Sequence, residues 1–408
     1  VENRLYKILT ENILPLWLER MPDTENGGFF GQIDGRGNVI RDSGKGAVLN
    51  ARILWTFSAC SRLFEDSAVM SELEISSTES RRLASACREA AERARNYLIE
   101  KFIDKEYGGV YWLLDSSGRP ENTKKQFYAI GFAIYGLSEY YRLTGDKEAL
   151  DYAVKLFEDI ETHSYNPVIN GYIEAASEDW SEIVDMRLSE KDENEKLSMN
   201  THLHILEPYT NLYRVWRDDR LAMQLRNLIL IFLDKIKIKE SNHLGLFFDE
   251  SWNRKGQEES YGHDIEASWL LLEAAEVLGD PEIYKRVLAE SRQLAFAALE
   301  GLKPDGGMIY ELRNDGTTDT DRHWWVQAET VTGLVYLYKK HKFAPAHELA
   351  QKSLDYIENY LLDRQNGEWF WSVDENGIPD RDKDKAGFWK CPYHNSRMCT
   401  EILWQLYK

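Results

Sequence analysis

The sequence predicts an all-α fold, an (α/α)6 barrel of about twelve helices closed into a toroid and joined by short β-hairpins. Three observations lead there. A glycine turn followed by β-forming residues recurs six times along the chain. Apolar patterns of helical period flank these turns. The 408 residues also exceed what one ordinary core fills, since cores stop growing at about 250–300 residues. A repeating architecture enlarges its core by adding units, so the chain reads as one domain over residues 1–408.

The turns are Asn26-Gly27-Gly28-Phe29-Phe30, Tyr107-Gly108-Gly109-Val110-Tyr111-Trp112 and Asn170-Gly171-Tyr172-Ile173. They continue as Leu244-Gly245-Leu246-Phe247-Phe248, Asp305-Gly306-Gly307-Met308-Ile309-Tyr310 and Asn366-Gly367-Glu368-Trp369-Phe370-Trp371. From Gly27 through Gly108, Gly171, Gly245 and Gly306 to Gly367 the intervals are 81, 63, 74, 61 and 61 residues. Glycine accepts the positive φ of a tight turn, and the residues after it suit a short strand.

A helix precedes and follows each turn. Leu221, Leu225, Leu228 and Phe232 form one apolar stripe, as on an outer helix. Asp280-Pro281-Glu282 combines an N-cap, a proline at the first helical position and an early acid, and Gly279 ends the helix before it. Segments such as Glu266–Leu278 and Val331–Lys339 are apolar all round, as an inner ring requires. An open α-solenoid is the alternative, but six units with one hairpin each favour closure. Two polar loops, Ser177–Lys196 and Asp374–Gly387, precede inner helices and are expected to flank the pocket as lids.

Composition limits the function classes. A formal charge of −19 disfavours nucleic acid or an anionic membrane as partner. No stretch is long and apolar enough to span a bilayer, and the start Val1-Glu2-Asn3-Arg4 does not resemble a secretion signal. Cys60, Cys87, Cys391 and Cys399 have neither metal-site nor disulfide-framework spacing, so a reduced, cytoplasmic protein is expected. The 13 Trp and 22 Tyr suit a core and also sugar stacking. A monomer is expected, with a dimer as the second option.

In a closed toroid the N-terminal ends of the inner helices converge on one pocket. Six stretches occupy that position: Asn50-Ala51-Arg52, Gln126-Phe127-Tyr128, Asn200 to His204, His263 to Glu266, Trp324 to Gln327, and Trp389 through His394 to Arg397. Arg52, Tyr128, His204, His263, Gln327 and His394 follow at intervals of 76, 76, 59, 64 and 67. Each residue taken alone has an ordinary structural explanation. His204 and Asn200 share one helix face, and His202 points elsewhere, so the pair of histidines is no ready metal clamp. His263 and Glu266 share a face as metal ligands do in bundles, yet no carboxylate-rich cluster accompanies them, and no metal is expected. Cys391 reads as a buried thiol rather than a nucleophile.

Histidines grouped with an arginine and tryptophans suit proton abstraction beside a carbonyl. Imidazole titrates near neutrality, and Arg52 is placed to stabilise an enediolate. Glu266, Asp264 and Glu329 keep a two-carboxylate glycosidase open. A non-catalytic glycan-binding toroid is a further alternative.

These blocks resemble the N-acylglucosamine 2-epimerase superfamily, most closely its disaccharide-epimerising branch. The resemblance rests on Leu49-Asn50-Ala51-Arg52-Ile53-Leu54-Trp55, Asn200-Thr201-His202-Leu203-His204 and Gly262-His263-Asp264-Ile265-Glu266. It also rests on Arg322-His323-Trp324-Trp325-Val326-Gln327-Ala328-Glu329 and Trp389-Lys390-Cys391-Pro392-Tyr393-His394. It implies an (α/α)6 barrel without a cofactor. The implied reaction is reversible inversion at C2 of the reducing-end glucose of a β-1,4-linked disaccharide, through ring opening and a cis-enediolate. His263 and His394 would then be the acid/base pair, His204 would assist at the reacting carbons, and Arg52 with Asn200 would hold the oxygens. Tyr128, Glu266, Trp324, Trp325, Trp389, Glu329 and Arg397 complete the set as substrate-binding residues. A monosaccharide epimerase or aldose–ketose isomerase of the same superfamily is the nearest alternative.

Overall fold

In the computed structural model, described for residues 1–407, twelve principal helices alternate between an outer and an inner ring. The outer helix of unit one covers residues 2–19, with a π-helical stretch at Ile8–Ile13. The later outer helices are Ser77–Tyr97, Lys147–His163, Asp219–Ile231, Pro281–Ala298 and Pro345–Tyr356. The inner helices are Ala47–Glu65, Phe127–Thr144, Met199–Val215, Tyr261–Leu278, Trp324–Lys339 and Tyr393–Tyr407. A short extra helix, Ser67–Glu72, joins units one and two. No helix among the described residues is long and apolar enough to cross a membrane.

Local chemistry sets these boundaries. Asp280 caps the fifth outer helix by accepting from the Glu282 and Ile283 N–H groups, with Pro281 at the first position. Gly279 ends the helix before it at φ 77°. Leu221, Leu225, Leu228 and Phe232 are fully buried, so the apolar stripe faces inward.

The ring closes in two ways. Each inner helix packs on its neighbours, and the sixth packs on the first. At the mouth, the short strand before each inner helix pairs antiparallel with the next unit. Lys45–Gly46 pairs with Leu113–Leu114, Lys125–Gln126 with Ala175–Ala176, and Leu197–Ser198 with Phe247–Phe248. Glu259–Ser260 pairs with Glu311–Leu312, and Arg322–His323 with Ser372–Val373. The sixth link is the bridge between Ala386 and Ile33, where the Ile33 N–H donates to the Ala386 carbonyl at 2.8 Å. Six β-links thus fix the angular position of every inner-helix start.

The turns depart from expectation in detail. Gly27, Gly108, Gly306 and Gly367 have positive φ, whereas in units three and four the left-handed residues are Asn170 and Asn242. Asparagine tolerates this region through local hydrogen bonding. Each unit also has a second turn, whose left-handed position holds Gly37, Gly118, Trp180, Trp252, Gly316 or Gly377. Buried ion pairs tie the first turn to the strand in three units: Lys45–Asp23 at 2.7 Å, Lys125–Asp104 at 2.5 Å and Lys385–Asp363 at 2.6 Å. All four cysteines are buried and free.

Candidate active site

The converging helix starts enclose a cavity of about 610 Å³. Its wall includes Arg52, Tyr128, Asn200, His204, His263, Glu266, Trp324, Trp325, Trp389 and His394. Ten of the twelve expected residues therefore meet. The geometry follows from helical spacing: Arg52, His204 and Glu266 each lie six residues after the N-caps Gly46, Ser198 and Ser260, so they face the axis at one level.

Glu329 and Arg397 are the two expected residues that the structure does not bring to the wall. Both are buried behind the wall and do not line the cavity. Glu329 Oε1 lies 2.7 Å from His394 Nδ1, and its Oε2 accepts from Trp269 Nε1 at 2.9 Å. Arg397 Nη2 donates to Glu266 Oε1 and to Glu329 Oε1, each at 2.7 Å, while Nη1 donates to Glu207. One guanidinium therefore joins three carboxylates from three inner helices. Glu266, Glu329 and His394 offer ligand atoms within 4.8 Å of one another, but Arg397 Nη2 already bridges the two carboxylates as their cation.

Each histidine has a distinct anchor. A carboxylate only accepts, so His394 Nδ1 and His204 Nδ1, the latter 3.0 Å from Glu207 Oε2, both carry protons. Neutral rings so held present Nε2 lone pairs to the cavity. Nδ1 of His263 lies 2.7 Å from the Ser260 hydroxyl, which can donate or accept. Burial holds all three imidazoles below their usual range. His263 falls to about 3, with His204 adding to the effect, and the Arg52 and Arg397 cations depress His394 further. Burial and the Glu329 charge push Glu266 well above the usual carboxyl range, and its Oε2 has no protein partner.

Arg52 donates to the Tyr128 hydroxyl at 2.8 Å and lies 3.7 Å from Cys391 Sγ, which is a buried thiol. The Arg52 guanidinium lies 4.2 Å from the Phe132 ring centroid. Asn200 Oδ1 is buried without a partner. The Trp325 ring packs near two histidines, its centroid 4.7 Å from that of His263 and 5.7 Å from that of His394. Trp324 packs at 4.5 Å on Trp371, so both tryptophans reach the cavity. His202 faces away and accepts from the Tyr172 N–H at 3.0 Å. Gln126 and Gln327 hold backbone, at Met186 and Arg187 and at Met308 respectively.

Both polar loops reach the mouth, through Leu188 to Asp192 and through Asp380 and Lys383. Sequence reasoning missed Tyr310, His323 and Trp371 on the wall, and Ser260 and Glu207 behind it. Ser260 and Glu207 stand three residues from His263 and His204, so helical spacing alone carried that signal.

The N-acylglucosamine 2-epimerase (GlcNAc 2-epimerase) family profile matches residues 77–397. A cellobiose 2-epimerase of Bacteroides fragilis is 54% identical over 404 residues, covering 99% of this chain and 98% of that protein. A cellobiose 2-epimerase of Ruminococcus albus is 36% identical, covering 97% and 96%. The solved cellobiose 2-epimerase of Bacillus thermoamylovorans superposes with a TM-score of 0.90 at 39% identity, covering 98% of both chains. With a profile match over most of its length and relatives aligned end to end, the chain belongs to the N-acylglucosamine 2-epimerase family.

Proposed function

We propose that the chain is a sugar 2-epimerase that reversibly inverts C2 of the reducing-end glucose in β-1,4-linked disaccharides such as cellobiose and lactose. The observation that carries this is the placement of two neutral imidazoles, His263 and His394, both packed near Trp325 in one cavity. The kinship with cellobiose 2-epimerases supports the disaccharide as substrate.

In the proposed reaction the sugar ring opens to the aldehyde. The Nε2 lone pair of one histidine removes the C2 proton, and the electron pair moves through the C1–C2 bond onto the carbonyl oxygen. A cis-enediolate forms. The second histidine returns a proton to C2 from the opposite face while the carbonyl is restored. No redox partner is required. His394 is suited to the base role because Glu329 holds its Nδ1–H. A Ser260 hydroxyl that donates to His263 Nδ1 leaves His263 Nε2 protonated, the complementary acid.

Arg52 places positive charge and Asn200 a polar group at the developing oxyanion. His204 supports the reacting carbons, and the unpartnered Oε2 of Glu266 offers a hydrogen-bonding site. Tyr128, Trp324, Trp325 and Trp389 orient the sugar, with Trp389 as the platform for the second ring.

The test is cellobiose in D2O. Deuterium at C2 of a glucosyl-mannose product is expected. Release of free glucose would mean hydrolysis, and binding without exchange would mean a glycan-binding module. Parallel rates on mannose and N-acetylglucosamine separate the monosaccharide alternatives.

A further inference from the structure

The first turn of unit four holds an imidazole surrounded by acids. His243 is 2% exposed. Its Nδ1 lies 2.6 Å from Asp264 Oδ2, on the inner helix. Its Nε2 lies 3.5 Å from Glu259 Oε2, in the strand before that helix, and 3.6 Å from Glu300 Oε2 at the end of the fifth outer helix. The Tyr261 ring stands edge-on at 5.9 Å. Lys237, on the same turn, directs its Nζ to Asn242, Glu290 and Gln293.

A neutral imidazole has one N–H and one lone pair. Whichever nitrogen kept the lone pair would aim it at a carboxylate. Only the imidazolium both donates to Asp264 and meets Glu259 and Glu300 with positive charge. Burial alone lowers the pKa of His243, but the Asp264 hydrogen bond and the charges of Asp264, Glu259 and Glu300 outweigh it and raise it above the ordinary value.

The two carboxylates bracket a short segment. Between Glu259 and Asp264 lie Ser260 and His263, whose side chains contact each other at 2.7 Å. Asp264 is committed on its other oxygen, which accepts the Leu244 N–H at 2.9 Å. Units one, two and six also tie the first turn to the segment before the inner helix, but with the charges reversed. There the acids Asp23, Asp104 and Asp363 lie in the turn and the lysines Lys45, Lys125 and Lys385 beyond it. In unit four the cation is an imidazole, whose ordinary pKa lies about four units lower.

We propose that His243, as an imidazolium clamp on Glu259 and Asp264, is a positioning residue that holds the Ser260–His263 pair against the cavity and releases it in alkaline solution. The sign follows from linkage. The clamp is complete below the ordinary imidazole range and is lost as pH rises through the raised value. The proposal rests on reading His263 as one of the proton-transfer pair.

The test uses the full chain. NMR of isotope-labelled histidines follows each imidazole against pH, with His243→Gln identifying the resonance. In parallel, kcat and KM on cellobiose are measured from about pH 5.5 to about 10. Asp264→Asn keeps the shape and removes the charge. His243 is expected to titrate above 6.5, the His263 signals to shift at the same midpoint, and kcat to fall through it while KM changes less than about twofold. In Asp264→Asn both midpoints should move together to lower pH, by about one unit.

The proposal is overturned if His243 titrates at or below 6.5, if the His263 signals ignore it, or if Asp264→Asn leaves the alkaline limb in place. Should His243→Gln fail to fold, the resonance is assigned by its shift in Asp264→Asn. If the wild-type chain shows no turnover, the functional reading fails, while the coupling between the His243 and His263 signals still decides the clamp.

Discussion

His394 and Glu329 are joined by a 2.7 Å contact between Nδ1 and Oε1, made across two inner helices whose residues lie 65 apart in sequence. The carboxylate fixes the tautomer and, in the proposed reaction, would stabilise the imidazolium that forms when the ring takes a proton. Glu329→Gln keeps the volume but lets the amide offer a donor to Nδ1, which favours the wrong tautomer. A carboxylate-to-amide change behind a catalytic histidine can cost up to about 10⁴ in kcat. We expect kcat for C2 deuterium exchange to fall at least about 100-fold with a much smaller change in KM. An exchange rate within about threefold of wild type would detach Glu329 from the base.

Arg397 supports the same site through stability. Its guanidinium contacts Glu207, Glu266 and Glu329, all fully buried. Arg397→Met fills similar space but leaves those acids without their cation, and breaking a buried pair this way costs about 3–5 kcal/mol. Urea unfolding should show that loss, together with reduced exchange because both His204 and His394 lose their fixed partners. A change under about 1 kcal/mol would mean that the acids are neutralised by other means.

The repeating unit was legible in the sequence because its signals are local. The Asp280-Pro281 cap, the stripe from Leu221 to Phe232 and the paired glycines all act within a turn or two. The pocket-facing positions were legible for the same reason, since a helix start places residues two and six after its cap on one face. The inter-unit strands were not legible. A pair such as Lys45–Gly46 with Leu113–Leu114 is two residues long, too short for any alternation. The Arg397 cluster was hidden too, because its partners stand 68, 131 and 190 residues away. Only assembly of the ring reveals the contact between Glu329 and His394.

The acid side of the rate profile follows from the depressed imidazoles. Protonation removes the lone pair the proposed reaction needs, and an ordinary histidine is half protonated at 6.5. Burial with the Arg52 and Arg397 charges holds His394 well below that, and His263 lies at about 3. A lower pKa means that more acid is needed to silence the base. We therefore expect kcat/KM to hold between pH 7 and about pH 5 instead of halving near neutrality. Arg52→Gln removes one of the cations, so its lower residual rate should show an acid midpoint displaced upward. A wild-type midpoint near 6.5, or an Arg52→Gln midpoint displaced downward, would contradict this account.

Gly262 tests how tightly the two histidines are spaced. A Cβ there would fall 2.6 Å from Trp325 Cη2 and 2.7 Å from Val326 Cγ2, closer than side chains pack. Its φ is not left-handed, so the obstacle is contact with the neighbouring helix rather than backbone strain. Trp325 packs near both His263 and His394, so its displacement is expected to move one of them. Gly262→Ala should therefore cost about 1–3 kcal/mol from overpacking, and about 10- to 100-fold in kcat if the rings shift by about 1 Å. The double variant Gly262→Ala/Trp325→Phe opens the space again. If the clash is the cause, it recovers stability relative to Gly262→Ala alone, whereas independent effects would simply add. Additive losses would place the constraint on Gly262 in the Val326 contact, and the spacing of the histidines would then rest on their carboxylate and serine anchors instead of on Trp325.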